Sequence, residues 1–367
     1  MREMTFSDAQ SAQNYAKENP GIVITRTQDG SGYTTCLKSK TLSPIPQGIS
    51  PQSILSYLNQ HVISQDDAKE EIALALYYHH VKFKNREQTN VRNNGPVMLI
   101  GPTGTGKTFM VQKGCECVDL PFIHVDSASI VPEGYKGYSI SNLMDDVFER
   151  SGLDKSKAEH TVIFFDEVDK LFYPGDTSAE FYIKVAQQML RMIEGDRVKL
   201  ASTYHTKDGE TVDELNTANM QFIFGGAFQW LLDDRENEAP VMGFDTKRQK
   251  AQIFESLSVE DLYASGVAKE FLGRVSTVVS LKPLNQKNIY AVLTQSKSTP
   301  AKKYIEKIIL NDCRVVIPDA TQHSIAHEAA NHPFGVRSLD FILKRLFKKA
   351  LFESPLYSGK TYVIEYH

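Results

Sequence analysis

The octapeptide GPTGTGKT at residues 101–108 contains the side chains of this sequence that are best suited to chemistry. It satisfies the pattern G-x-x-x-x-G-K-[ST], in which glycines allow consecutive backbone N–H groups to turn toward phosphate oxygens. Lys107 is placed to reach the β- and γ-phosphates of a nucleotide, and the Thr108 hydroxyl is placed to hold a magnesium ion. The pattern predicts a nucleotide-binding loop that also includes Thr103, Gly104, Thr105 and Gly106.

An acidic pair follows a run of apolar residues in the segment TVIFFDEVDK. Asp166 is placed to hold the magnesium ion through its water shell, and Glu167 to orient and polarise an attacking water. Carboxylates at the end of a strand are common and carry little information alone. Beside a phosphate-binding loop they predict hydrolysis of the nucleotide, with Glu167 as a catalytic residue.

These residues need a framework that brings them to one edge of a sheet. Short apolar runs, separated by helical patterns, end at Ile100, Val125, Phe165, Phe224 and Leu281. This alternation is typical of a parallel sheet covered by helices on both faces. We therefore predict an α/β fold of the P-loop NTPase class, followed by a smaller, mainly α-helical C-terminal domain.

Three parts are predicted along the chain: a divergent N-terminal segment over residues 1–48, a large domain over 49–282 and a small domain over 283–367. In the first part, strand-like runs at 21–27 and 32–37 flank the turn signal QDGS, which predicts a β-hairpin. The stretch SPIPQG that follows is typical of a linker.

The composition limits the class of protein. With 41% hydrophobic and 23% charged residues, the 367-residue chain resembles a soluble globular protein. A net charge of −4 disfavours a broad surface for nucleic acid. No stretch reaches the roughly 20 apolar residues that span a bilayer, and the N terminus lacks the pattern of a secretory signal. We expect a cytoplasmic location, with neither nucleic acid nor membrane as partner.

The cysteines are scattered and predict neither disulfides nor a metal centre. They lie at Cys36, Cys115, Cys117 and Cys313. A single residue separates Cys115 from Cys117, inside a predicted helix, so no CxxC pair forms part of a zinc pattern. We therefore expect no zinc.

Seven ordered segments resemble those of the AAA+ ATPases, most closely the ClpX unfoldase family, with the HslU unfoldase a more distant relative. They are VISQDDAK, GPTGTGKT, FFDEVDK, QQMLRMIEG, FIFGGAF, KEFLGR and FGVRSL, spread over roughly residues 50 to 355. The resemblance implies an AAA+ large domain followed by the small helical domain. It also implies an ATP-hydrolysing chaperone that assembles as a homo-hexamer and threads protein substrates through an axial pore. No protease activity of its own is expected.

The resemblance also assigns roles to single residues. Val62 and Ile63 would line the adenine pocket, although packing at a helix start explains the same apolar pair. Arg274 would act as a catalytic arginine finger on the nucleotide of a neighbouring subunit, and Arg337 would report the γ-phosphate to the small domain. Either arginine could instead be an ordinary ion-pair partner. An arginine supplied in trans requires head-to-tail assembly, which closes into a ring when the rotation allows.

The segment EGYKGYS at residues 133–139 is similar to the pore loop of this family, through Gly134, Tyr135, Lys136 and Gly137. Tyr135 would then project into the axial channel and grip an extended polypeptide, since a rigid aromatic ring contacts almost any side chain. Packing beneath the loop is the alternative for Tyr135 and, more readily, for Tyr138. Lys136 replaces an apolar residue of the family and predicts a preference for acidic substrate segments.

Met242, Gly243 and Phe244 are similar to the apolar tripeptide with which the family docks its peptidase. Such a tripeptide suits a hydrophobic cleft on a partner ring, so a ClpP-like peptidase is the expected partner of this Clp-type ATP-binding subunit. The family's zinc-binding N-terminal domain has no counterpart in the sequence, and its cationic Arg-Lys-His loop is replaced by Thr-Lys-Asp at 206–208. Substrate and adaptor recognition is therefore expected to differ.

Two other functions stay open from the sequence. The first is a protein-remodelling AAA+ chaperone that works without a peptidase. The second is an AAA+ motor on nucleic acid, which the acidic balance and the aromatic pore loop disfavour.

Overall fold

The computed structural model describes residues 48–85, 95–172, 179–206, 209–231 and 257–366, together with Ser11 and three short N-terminal strands. These strands are β1 (Thr5–Phe6), β2 (Ile22–Arg26) and β3 (Tyr33–Leu37). They form an antiparallel sheet in the order β1-β3-β2. The pairing of β2 with β3 agrees with the predicted hairpin, whose turn residues lie outside the described ones.

A five-stranded parallel sheet contains β4 (Val97–Ile100), β5 (Phe122–Asp126), β6 (Val162–Asp166), β9 (Gln221–Gly226) and β10 (Thr277–Ser280). The order of these strands across the sheet is β10-β4-β9-β6-β5. Every residue of β4 and β9 is buried, as expected where helices cover both faces. The predicted α/β class and its five apolar strands are confirmed.

Helices cover the two faces of this sheet. They are α1 (Pro51–His61), α2 (Asp66–Lys84), α3 (Lys107–Val118), α4 (Ile140–Arg150), α5 (Lys155–Ala158), α6 (Ala179–Glu194), α7 (Val259–Ala264) and α8 (Lys269–Leu272). Side chains of β4 alternate between two cores. Met98 and Ile100 join a first core, under α4 and α6, whereas Val97 and Leu99 join a second core, under α1, α2 and α3.

An antiparallel hairpin stands apart from the central sheet. It consists of β7 (Arg197–His205) and β8 (Thr211–Asn216), and residues 207–208 at its turn are not among those described. The Tyr204 hydroxyl donates a hydrogen bond to Glu149 at 2.8 Å, and the Ser202 amide donates to Asp145 at 3.3 Å. Two side chains of α4 therefore hold the hairpin.

The C-terminal part is mainly helical, as predicted. It contains α9 (Gln286–Thr294), α10 (Lys302–Ile309), α11 (Asp319–Asn331), α12 (Ser338–Glu353) and the parallel pair β11 (Arg314–Val316) and β12 (Thr361–Val363). These elements share a third hydrophobic core, built between Ile289 and Ile364. The limits of the three predicted domains stay a prediction.

Two searches of the described residues gave negative results. None of their helices combines the length and the apolar character needed to cross a membrane. No three of their His, Cys, Asp or Glu side chains group together in a way that could hold a metal ion.

Candidate functional site

The phosphate-binding loop joins the end of β4 to the start of α3. Gly104 and Gly106 have φ angles of +83° and +94°, in the left-handed region that favours glycine. A Cβ atom on Gly106 would meet no heavy atom of the described residues within 4 Å. Gly106 also precedes α3 without capping it by a side chain, so the first N–H groups of this helix are available to an anion.

Lys107 is buried at the base of this loop. Its Nζ atom donates to the carbonyl oxygens of Gly101 at 2.6 Å and Pro102 at 3.1 Å. Burial lowers the pKa of Lys107, while the nearby charges of Asp166 and Asp169 raise it in part. The loop's own carbonyls thus hold the ammonium group at the position where phosphate oxygens would take over its hydrogen bonds.

Asp166 ends β6 beside the loop. Its Oδ2 atom accepts a hydrogen bond from the Thr108 hydroxyl at 3.0 Å, and the Nε2 atom of His124 lies 3.5 Å from the same oxygen. Burial alone would raise the pKa of Asp166, but hydrogen bonds from His124, Thr108 and the Glu167 amide hold it below its usual range. An ionised carboxylate next to a hydroxyl oxygen is a donor set that fits Mg²⁺.

Glu167 follows directly and has a φ angle of +56°. Residues other than glycine rarely occupy this left-handed region, and those that do are concentrated at active sites. The turn begins the 3-10 helix Val168–Phe172 and brings the Glu167 carboxylate into an ion pair with Lys170. Lys170 therefore contacts the side chain that was predicted to orient water.

Two neighbours of Asp166 were missed by the sequence reasoning. Asp169 is buried and accepts a hydrogen bond from the Phe228 amide at 3.2 Å, which ties the end of FIFGGAF to the cleft. Burial raises its pKa, and the hydrogen bonds from the Phe228 and Ala227 amides oppose that shift. Its place three residues after Asp166, inside the acidic segment TVIFFDEVDK, was an available signal. His124 gave no comparable signal, because its contact depends on the pairing of β5 with β6.

These groups enclose one cleft of about 370 Å³. It is lined by Thr103, Gly104, Gly106, Lys107, Thr108, Phe109, Asp166, Glu167, Asp169, Lys170, Ala227 and Arg337. Thr105 is buried behind the loop, where its hydroxyl donates to the Pro102 carbonyl at 2.9 Å. Arg337 comes from the C-terminal helical part, and a Cβ atom on Gly104 would lie 3.7 Å from its Cγ atom. The fold therefore brings Arg337 to the phosphate loop.

Other predicted residues lie elsewhere. Neither Val62 nor Ile63 is among the described residues that line the cleft, and Val62 is buried in the core of α1, α2 and α3. Packing accounts for that burial, and contact with adenine stays a prediction. Arg274 forms an ion pair with Glu194 of the same chain, and both side chains are about half exposed. Its action on a neighbouring subunit stays a prediction too.

The pore-loop segment is shaped by its two glycines. Gly134 and Gly137 have φ angles of +90° and +152°, and a Cβ atom on Gly137 would lie only 2.8 Å from Val131 Cγ1. Tyr135 is 55% exposed between them, and Lys136 is exposed as well. The loop thus presents an aromatic ring and a positive charge side by side.

The two tyrosines of this segment differ. Tyr138 is half-buried against the first core, and its hydroxyl donates a hydrogen bond to Asp146 Oδ2 at 2.6 Å. Burial and this hydrogen bond raise its pKa. Packing beneath the loop, the alternative for both residues, therefore describes Tyr138, whereas more than half of Tyr135 is exposed and its role stays a prediction.

The predicted docking tripeptide, Met242, Gly243 and Phe244, lies outside the described residues, as do residues 207 and 208 of the hairpin turn. Their roles stay predictions.

The sequence is similar to known proteins over most of its length. The family model "AAA domain (Cdc48 subfamily)" matches residues 92–278, just over half of the chain. Relatives named "ATP-dependent Clp protease ATP-binding subunit ClpX" occur in Treponema denticola, 26% identical over 97% of this chain and 90% of the relative, and in Azotobacter vinelandii, 26% identical over 93% and 85%. The relative of that name from Bacteroides fragilis is 27% identical, also over 93% and 85%. The chain therefore belongs to the AAA family, as a ClpX-like AAA+ ATPase.

Proposed function

We propose that the chain is an ATP-driven protein unfoldase that threads substrates through the axial pore of a homo-hexameric ring, as the ATP-binding subunit of a Clp-type protease. The observation that carries the proposal is that one chain combines a hydrolytic cleft with an exposed aromatic ring on a glycine-flanked loop. A nucleotide switch would need only the first feature. A motor that grips polypeptides needs both.

The cleft residues divide the work of hydrolysis. Lys107 and the first N–H groups of α3 bind the β- and γ-phosphates of ATP. Mg²⁺, when held by Thr108 and Asp166, neutralises charge on the phosphate oxygens. Glu167 orients a water for attack on the γ-phosphorus and accepts a proton of that water on its carboxylate, while the bond from the γ-phosphorus to the bridging oxygen breaks and ADP leaves. Lys170, ion-paired with Glu167, sets the direction of that carboxylate.

Arg337 and Arg274 couple hydrolysis to movement. Arg337 lines the cleft from the C-terminal helical part, so contact with the γ-phosphate favours one orientation of that part. Arg274 exchanges its ion pair with Glu194 for the nucleotide of the next subunit, which requires head-to-tail packing around the ring. Loss of the γ-phosphate releases both contacts and permits rigid-body motion. Tyr135, in contact with the substrate, then moves the polypeptide along the pore.

A separate ClpP-like peptidase is the proposed partner. Similarity to proteins named as subunits of the Clp protease supports this partnership, as does the tripeptide Met242, Gly243 and Phe244. Lys136 places positive charge beside Tyr135, which favours acidic segments among the protein substrates. A cytoplasmic location and the absence of zinc complete the proposal.

The function is tested by incubating a tagged fluorescent protein with the chain and ATP, with and without a ClpP-like peptidase. We expect ATP-dependent loss of fluorescence in both reactions and release of peptides only with the peptidase. Phe244→Ala should keep the loss of fluorescence and abolish peptide release. Unfolding with no peptides under any condition would favour a peptidase-independent chaperone. ATP hydrolysis stimulated by DNA, with fluorescence unchanged, would favour a motor on nucleic acid.

A further inference from the structure

The exposed ring of Tyr135 has a partner within its own chain. It meets the ring of Phe181 edge to face, with centroids 5.5 Å apart and an interplanar angle of 87°. Phe181 in turn meets Tyr182 at 5.5 Å and 89°. Both distances and angles lie in the favourable range for aromatic pairs. The pore-loop tyrosine therefore rests at one end of a chain of three rings.

Phe181 and Tyr135 differ in the structure that surrounds them. Phe181 lies in the first turn of α6, and it packs against the first core while remaining half-buried. Tyr135 lies between two glycines with positive φ angles, and its amide bonds to the Pro132 carbonyl at 3.1 Å. A ring on a helix, partly buried against the core, thus meets a ring on a loop whose backbone turns at both ends.

We propose that Phe181 is the resting seat of the pore-loop tyrosine. Without substrate, the Tyr135 ring lies on Phe181, and an incoming polypeptide replaces that contact with its own side chains. The inference rests on the proposed function, because it assigns a state to the loop that grips substrate. Phe181 is a positioning residue, because it determines where the Tyr135 ring lies before substrate binds.

The seat has a consequence for affinity. A polypeptide can contact the Tyr135 ring only after that ring has left Phe181. The fraction of loops in which the two rings are in contact therefore lowers the apparent affinity for substrate. The free energy of one aromatic pair corresponds to a change in this affinity of roughly 2- to 10-fold. Removing the seat therefore lowers the KM for a protein substrate by that factor. The KM for ATP stays unchanged, because neither ring lines the nucleotide cleft in the described part of the chain.

Kinetics of substitutions at the seat test this role. Phe181→Leu keeps an apolar side chain at the start of α6 and is expected to lower the KM for an unfolded protein by roughly 2- to 10-fold. Phe181→Tyr restores the ring and should restore the wild-type KM. Tyr182→Leu, the matched control, removes the neighbouring ring of the same helix and should change KM much less. In a Tyr135→Ala background, Phe181→Leu should have no further effect.

A spectroscopic measurement tests the contact without relying on activity. The sequence contains one tryptophan, Trp230, so Tyr135→Trp in a Trp230→Phe background leaves a single indole, on the loop. Seated on Phe181, this indole should emit at shorter wavelength than in a Phe181→Leu variant. Addition of an unfolded protein should remove the difference between the two.

Two outcomes would overturn the proposal. An emission spectrum unchanged by Phe181→Leu would mean that the rings do not rest together in solution. A KM that rises on Phe181→Leu would make Phe181 a second gripping surface instead of a seat. Failure of the proposed unfoldase activity is distinguishable, because the wild type would then neither bind nor unfold protein, while the emission would still report the resting contact.

Discussion

The nucleotide cleft and the pore loop differ in how their side chains are buried and bonded. In the cleft, Lys107 and Asp166 are largely buried and make hydrogen bonds of 2.6 to 3.1 Å to neighbouring groups. In the loop, Tyr138 is anchored by its hydroxyl, while Tyr135 remains 55% exposed. Charge stabilisation requires groups that are fixed before reaction, whereas a grip on unlike side chains requires a ring that can move. The loop is therefore anchored at its base by Tyr138, while the Tyr135 ring at its tip rests on Phe181 and stays exposed to substrate.

The largest effect is expected when Glu167, the proposed general base of the nucleotide cleft, is replaced. Glu167→Gln keeps the shape of the side chain but cannot take a proton from water, so ATP hydrolysis should fall roughly 100- to 10,000-fold. Binding of ATP should persist, because Lys107 and the start of α3 are unchanged. Steady-state hydrolysis and binding of a fluorescent ATP analogue measure the two effects. Glu70→Gln, on the exposed side of α2, is the control, and turnover retained by Glu167→Gln would remove Glu167 from its role.

The scaffold beneath the cleft should lose stability in acid. His79 of α2 is buried, with Nε2 bonded to the His160 carbonyl at 2.8 Å, and burial lowers its pKa to about 4 from an ordinary 6.5. Because the unfolded chain binds this proton more readily, stability is complete above pH 6.5 and declines as the pH falls toward 4. The decline amounts to about 3 kcal/mol.

Urea unfolding between pH 8 and pH 4 measures the stability that depends on His79. His79→Gln should flatten the dependence, even if it lowers stability at every pH. An equally steep decline in that variant would assign the acid sensitivity to other groups.

At the base of the loop, Gly137→Ala should displace the pore segment. The added Cβ atom would approach Val131 Cγ1 to 2.8 Å in a backbone that disfavours side chains. Strain of roughly 1–3 kcal/mol should reduce substrate unfolding about tenfold while ATP hydrolysis continues. Gly134→Ala is the matched control, since its φ is also positive but no described heavy atom lies within 4 Å of the added Cβ. Equal loss in both variants would show that crowding at Val131 is unimportant.

The smallest effect is expected from removal of the Tyr138 hydroxyl, which anchors the base of the loop. Tyr138→Phe removes the hydrogen bond to Asp146, which contributes about 1 kcal/mol to holding the loop base. The KM for protein substrate should rise a few-fold with ATP hydrolysis unchanged. Tyr135→Phe keeps the gripping ring and should change neither value. If Tyr138→Phe behaves like Tyr135→Phe, the loop base does not need this hydrogen bond.

The sequence predicted what depends on neighbours along the chain. The five strands and the phosphate loop were predictable because apolar runs and glycine spacing are local signals. The resemblance assigned the gripping role to Tyr135, but it could not show how Tyr138 is held, because that depends on Asp146 of α4 facing its hydroxyl. The ion pair of Glu167 with Lys170 likewise depends on a backbone turn with positive φ, which glutamate rarely adopts.

The measurement that tests the central claim most directly is the number of ATP molecules hydrolysed per fluorescent protein unfolded, compared between the wild type and Tyr135→Ala. We expect the variant to hydrolyse ATP within about twofold of the wild type, because Tyr135 does not line the cleft. Its unfolding rate should fall roughly tenfold or more, since a central aromatic contact is lost. An unchanged ratio of ATP hydrolysed to protein unfolded would contradict the account, because the pore loop would then not be what grips the substrate.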